Sequence, residues 1–530
     1  MICLNLKNRK KLKNGKKILK RFIIYTILVS NIKKKNQINS IKLMNFKIKR
    51  NFYRFISIIL IISILFMALR FNFYKVALID QIQEMNLKTP KSSYFNNSAD
   101  PILIDGNGGW VSAATNEDWC TLINSVYVIE NLTIRGQSET ICIEIKNSDV
   151  SFLIRNCTLY NAGGTVVGYP GLKLDNVTNG IIIKNNISNN YDIGIILDDS
   201  SNNTITENHI ENNEHCGILF RDNSDFNKIF NNTFMSNENY GIQLEWESNV
   251  NAVYENIIKE STGVYIWGDD NQIFDNKFIR CWNGISIEGA DNITIMNNFI
   301  TDIDTTLSGY AISLEDANLN MIYNNLITVI GGKRGISLEE SNQNYIISNK
   351  ISNTSRAIQL SLGSNDNIVY DNLVYYNGGG IVIANCESNA IESNIIANSK
   401  DNGLFLESCF NNTIRNNTIN NNDIGISLMS GINNTITTNN ISDNEEYGIN
   451  LVNSHNNTIS FNVLIGNLYC IVESGCEGNR IINNTCENRF IPDFNKRISG
   501  YNSLFIIGIL LIISFIIIQK KNTKKKTPTL

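Results

Sequence analysis

Trp246, Trp267 and Trp282, three of the chain's five tryptophans, fall in one stretch with Tyr240, Tyr265, Glu245, Glu288, Glu315 and Glu339. Arg334 and Arg356 lie near its end. Aromatic faces stack on sugar rings, and carboxylates and guanidinium groups hold hydroxyls and acids by charge-assisted hydrogen bonds. The segment from Tyr240 to Arg356 is therefore the candidate ligand-binding face, with a polysaccharide or glycoprotein glycan as the fitting partner. Two carboxylates about 5 Å apart at an effective dielectric near 20 repel by about 3 kcal/mol before screening. Such carboxylates call for an Arg, a ligand or a cation. Calcium, which takes several oxygen ligands, is the one cofactor they could serve. The competing reading is a solvated face whose Glu residues keep the protein soluble and its edges unpaired.

Catalysis and metal binding find less support in the residues. Glycoside hydrolysis needs two carboxylates at a set separation. Glu288 with Glu315, Asp198 with Asp199, and Asp269 with Asp270 are the available pairs. No Asp-Pro-His, Gly-His-Gly or Arg-x-x-Arg-x-Pro motif accompanies them, so catalytic residues stay unassigned. The three histidines are His209, His215 and His455. Copper favours clustered His, Met and Cys, and His215 with Cys216, His209 and Met235 make a thin cluster. No Cys-x-x-Cys pair appears, so no metal site is assigned.

What positions these residues is a repeat. "GISLMSGINNTITTNNISDNEEYGINL" begins and ends with Gly-Ile-x-Leu, 23 residues apart. Its apolar residues alternate or stand alone, without helical periodicity. Each unit reads as three very short strands with Asn-rich corners, since Asn tolerates the left-handed backbone. A small residue starts the equivalent strand from Gly171 through Gly194, Gly217 and Gly241 to Cys470, at steps of 21 to 27 residues. Ala311, Ala357 and Cys470 in that column show that positive φ is not compulsory there. Close backbone packing explains it better. Such a period predicts a solenoid whose coils stack about 4.8 Å apart. In Gly-Ile-x-Leu-x the Ile and Leu point inward and the x residues outward. One outward column then reads Gln243, Tyr265, Ser286, Ser313, Ser337 and Gln359. The next reads Glu245, Trp267, Glu288, Glu315 and Glu339.

The repeated G-I-x-L followed by two N-x-I units, from about Val126 to Glu487, resembles the right-handed parallel β-helix repeat proteins of the carbohydrate-binding and sugar-hydrolase type, including the NosD-like domain. The resemblance implies an all-β right-handed parallel β-helix of about 14 or more coils. It narrows function little, because similar coils serve polysaccharide lyases, uronan epimerases, a copper-associated periplasmic protein and ubiquitin-ligase adaptors.

The ends place the molecule. Residues 1–54 are strongly basic, and 55–74 have the apolar centre of a signal peptide or signal anchor. A linker and N-terminal cap would occupy 75–125, the β-helix 126–490 and a second linker 491–500. Residues 501–518 form an uncharged apolar run followed by a basic tail, 519–530. That pattern predicts a transmembrane helix with a cytoplasmic tail, so the β-helix would lie outside the cell. A net charge of −3 leaves no nucleic-acid footprint. Asn-x-Thr triplets at Asn131, Asn202, Asn231, Asn411, Asn433, Asn456 and Asn483 suit an external surface. They read either as glycosylation acceptors or as a coil that needs Asn at a corner and Thr in a strand. Cys386 and Cys409 share one column of adjacent coils and could pair in an oxidising exterior, unless that column only selects small side chains. The expectation from sequence is a membrane-anchored extracellular β-helix that binds glycans or cell-envelope partners. A polysaccharide lyase, hydrolase or epimerase is the alternative, and a structural surface spacer the third.

Overall fold

The computed structural model describes residues 96–97 and 102–489, apart from 137–139, 165–167, 304–308 and 330–332. These lie in one compact unit, Ser92–Leu530. The expected N-terminal anchor and the apolar run 501–518 fall outside the described residues. Among the described residues no helix is long and apolar enough to cross a membrane.

The fold is an all-β parallel solenoid of about 15 turns. Each turn contributes one strand to each of three faces. The first face is a sheet of 16 strands built from the Gly-Ile-x-Leu segments, such as Ile426–Met429. The other two faces use three-residue strands such as Thr435–Thr437 and Asn440–Ser442. Ile426, Ile436 and Ile441 all reach 0% exposure in one continuous core. Each coil supplies only a few such residues, so burial depends on the coil above and below.

The two asparagines of each Asn-Asn corner do different things. The first takes the left-handed conformation, as Asn416 does at φ 56°. The second turns inward. Asn417 Nδ2 donates to Ile391 O at 2.9 Å and to Asn439 Oδ1 at 3.0 Å, while its own Oδ1 accepts from the Asn394 backbone at 2.9 Å. Buried Asn side chains thus form ladders along the solenoid and satisfy backbone groups that a tight corner leaves orphaned. The column of small residues is a close-approach column. A Cβ on Gly217 would lie 2.5 Å from Gly241 O, and none of the glycines that open these strands has positive φ.

Both ends depart from the repeat. Within the stretch expected as linker and cap, Ile102–Asp105 already pairs in parallel with Ile143–Ser148. The helix Gly106–Asn116 (α1) follows it. Trp110 on α1 is fully buried, stacks on Phe152 at 5.0 Å and Tyr127 at 5.4 Å, and bonds Ser148 Oγ, so it closes the core. At the other end the inward column runs from Leu451 to Glu473, and Cys470 is bonded to Cys486. Cys386 and Cys409 do not pair. Both are buried thiols whose sulfurs sit against the carbonyls of Ala384 and Glu407, so their column is one that accepts small side chains.

Candidate ligand face

The first face carries the expected columns in the expected register. Tyr265 pairs with Gln243 and Ser286, and Ser313 with Ser286 and Ser337. Glu288 pairs with Glu315, and Glu315 with Glu339. The structure brings four of the expected residues together. Tyr240 and Tyr265 have ring centroids 4.9 Å apart, and Trp267 meets Tyr265 edge-on at 5.1 Å. The Tyr265 hydroxyl donates to Glu288. Burial pushes the Tyr265 phenol well up, and the Glu288 carboxylate adds to the shift. Tyr240 is pushed up by burial, with Cys216 and Glu288 contributing. Both phenols are therefore donors at neutral pH, unsuited to act as bases.

Two coils on, Arg334 lies over the Tyr310 ring at 5.3 Å and donates to its hydroxyl at 2.8 Å. Arg356 donates to Gln359 Oε1 at 3.0 Å. Glu245 accepts from Gln243 Nε2 at 3.2 Å, and burial raises its carboxyl against the opposing charge of Arg221. Trp246 is 71% exposed at the corner after Glu245, and Trp282 is half-buried at the corner before its strand. Neither has a ring partner among the described residues.

The second outward column changes character along the solenoid. In earlier coils it reads Lys146, Asp175, Asp198 and Arg221, and the charges neutralise one another. Lys173 contacts Asp175 at 2.8 Å, and Arg221 contacts Asp198 at 3.5 Å. Glu288, Glu315 and Glu339 then stand consecutively, with no ion-pair partner among the described residues. Glu288 and Glu315 are exposed and Glu339 half-buried, so the three form an acidic stripe on this face.

The first outward column is a correction. Its residues point away from the core, yet most are buried: Gln243 is 5% exposed, Ser286 6%, Ser337 1% and Gln359 7%, whereas Tyr265 and Ser313 are half-buried. Column mates flank each side chain about 4.8 Å away on both sides. Sequence reasoning also missed a small apolar patch beside the aromatic cluster. Ile193, Ile196, Cys216 and Leu219 pack with Tyr240, outside the main core. Apolar residues at the outward x of "GIILD" and "GILFR" were the available signal.

The soft metal donors do not converge. His209 Nε2 faces Glu211 at 2.9 Å, His215 Nδ1 faces Cys216 Sγ at 3.4 Å, and His455 Nδ1 accepts from the Glu477 backbone. Among the described residues no group of three or more His, Cys, Asp or Glu is arranged to hold a metal ion.

Comparison with known proteins agrees with this architecture. The profile of the right handed beta helix region matches residues 91–258. That of the periplasmic copper-binding protein (NosD) matches 238–379 and 364–497. Among the described residues the donor geometry above does not supply the copper site of that description. No curated protein matches the chain. Among solved structures, an alginate lyase from Paenibacillus sp. str. FPU-7 is 15% identical, with a TM-score of 0.35, covering 44% of this chain and 97% of its own. The periplasmic alginate epimerase AlgG is 13% identical, with a TM-score of 0.30, covering 73% and 84%. A DFA-IIIase from Arthrobacter chlorophenolicus A6 is 12% identical, with a TM-score of 0.32, covering 55% and 83%. Likenesses of this size carry no argument about activity.

Proposed function

We infer that this chain, which belongs to the right-handed parallel β-helix repeat family, is a carbohydrate-binding protein displayed outside the cell and held at the membrane by residues 501–518. The observation that carries the reading is one juxtaposition. The Tyr240–Tyr265–Trp267 ring cluster sits beside Glu288, at the start of an acidic ladder that the described residues do not neutralise. Rings offer flat apolar surface to the C–H face of a sugar, and the carboxylates accept from its hydroxyl groups. The ladder spacing of about 4.8 Å is close to the length of one sugar unit, so a chain lying along the solenoid would meet an acceptor at each coil. The location reading rests on the apolar run and its basic tail, and the periplasmic description of the matched NosD profile agrees with it.

The test is a glycan array with the purified protein, followed by calorimetric titration of the best hit. Trp267→Ala and Glu288→Gln should each weaken binding about five- to tenfold, about 1 to 1.4 kcal/mol, with unchanged melting curves. Asn450 and Val452, in the same two columns on later coils, provide the control double substitution. A chelator arm reports whether calcium bridges the carboxylates. Release of product from a uronan would replace the binding reading with an enzyme. Absence of any hit would leave a spacer. For location, a C-terminal tag digested in protease-treated intact cells would overturn the orientation.

A further inference from the structure

Asn-x-Thr triplets follow either from the needs of the coil or from the needs of an enzyme that reads them, and the backbone separates the two. At the corners leading into the second and third faces, chain order is constant. A residue with positive φ is followed by an inward residue, usually a ladder Asn and buried except at Asn479 and Asn484 of the last coil, and then by an outward strand residue. The first and third of these share the outer surface. Thirteen of these left-handed residues are Asn, and ten have Thr two places on. Asn202, Asn292, Asn411, Asn433 and Asn456 lead into the second face. Asn131, Asn156, Asn231, Asn416 and Asn483 lead into the third. The exceptions are Asn179, Asn297 and Asn324.

At the same corners seventeen left-handed residues are not Asn, and none has Thr or Ser two places on. Lys184, Glu255, Ser348, Phe226, Asp270 and Gln343 are followed at that spacing by Asn186, Ile257, Lys350, Lys228, Gln272 and Tyr345. A strand's preference for Thr acts at this position whatever stands at the corner, so it cannot create the coupling. Direct bonding does not create it either: among the described residues none of the ten Asn side chains bonds the Thr two places on. The third corner of the coil serves as an internal control. There Asn161, Asn189, Asn212, Asn353, Asn398 and Asn421 are also left-handed, yet Gly163, Tyr191, Glu214, Ser355, Lys400 and Asp423 stand two places on, so Asn353 alone opens a triplet and no Thr occupies the position. The ten Asn are all exposed.

We propose that these ten corners are N-glycosylation acceptors and that the second and third faces carry a ladder of N-linked glycans. The Asn amide nitrogen attacks C1 of a sugar on a polyprenyl-phosphate-type donor. The N–C1 bond forms, the C1–O bond to phosphate breaks, the lipid phosphate leaves, and the amide proton passes to a base of the transferase. The +2 hydroxyl is the group the transferase reads. This requires display outside the cell, as proposed above, but not the ligand face.

The experiment is glycopeptide mass spectrometry on the full chain from the cells that make it, beside the protease test of orientation on the same cells. Glycan mass is expected on Asn residues of the ten triplets and absent from Asn179, Asn297 and Asn324, which share the conformation and exposure but lack the Thr. Thr233→Val should abolish modification of Asn231 at unchanged Tm, and Thr233→Ser should retain it. Ser348→Asn combined with Lys350→Thr should create a new modified site. Bare peptides at all ten, from a chain shown to be external, would overturn the proposal while leaving its location intact. Modification that survives Thr233→Val would overturn it as well.

Discussion

Asn324 and Asn325 are adjacent, identical in sequence and opposite in structure, so substituting each in turn tests the account of the corners. Asn324 is exposed at φ 52°. Changing it to Ala removes an exposed contact to Asn297 and places a Cβ residue with no local compensation in the left-handed region, about 1 to 2 kcal/mol. Asn325 is 1% exposed. Its Oδ1 accepts from Asn298 N at 2.9 Å, and its Nδ2 donates to Ile295 O at 3.0 Å and to Asn349 Oδ1 at 3.0 Å. Asn325→Ala strips partners from a buried N–H and a buried C=O. At about 1 to 3 kcal/mol for each unsatisfied group, the expected loss is about 2 to 6 kcal/mol. Asn324→Gly should be neutral or nearly so, because Gly adopts positive φ freely. Urea unfolding followed by circular dichroism gives the midpoints. Equal shifts for the two Ala variants, or a larger one for Asn324→Ala, would refute the division of labour between the two asparagines.

The remaining predictions concern the faces and the charge. Ile336→Asp and Ser337→Asp should both lower Tm, since Ile336 is 0% and Ser337 1% exposed; an unchanged Tm for Ser337→Asp would return the outward column to solvent. Gly217→Ala should destabilise by about 1 to 3 kcal/mol through the clash with Gly241 O and Phe234, and a neutral result in the same unfolding assay would remove close approach as the reason for the small-residue column. Burial raises Glu245 in the folded state, so the fold holds its proton to higher pH than the unfolded chain does. Its contribution is therefore greatest below the ordinary carboxylate value and is lost as pH rises through the raised one. Glu245→Gln should flatten that part of the Tm–pH profile, and a profile unaltered by the substitution would count against the assignment.

The fold was legible because a solenoid is nearly a one-dimensional object. The step from Gly425 to Gly448 is a distance along the chain and also a vector between neighbouring coils, so columns such as Glu288–Glu315–Glu339 follow from counting. Alternation within Gly-Ile-x-Leu-x settled which side chains face the core, because neighbours on a strand point oppositely. Sequence by itself thus determined the coil, its register and the candidate residues of the first face.

What the tertiary structure decided depends on distances between coils and between columns. "NNT" does not say which Asn turns left-handed and which enters the buried ladder; that is set by which amide can reach the carbonyls of the preceding coil. Pointing outward did not mean exposed, because the flanks that bury Ser337 belong to other coils. The ends also escaped the repeat. Trp110 caps the core from outside the periodic region, and Cys470 pairs with Cys486 while the column mates Cys386 and Cys409 stay apart. In the ligand face, Tyr240, Tyr265, Trp267 and Glu288 converge, whereas Trp246 and Trp282 stand at corners. A column fixes Cα positions, and only the side-chain rotamers and their neighbours decide which rings touch.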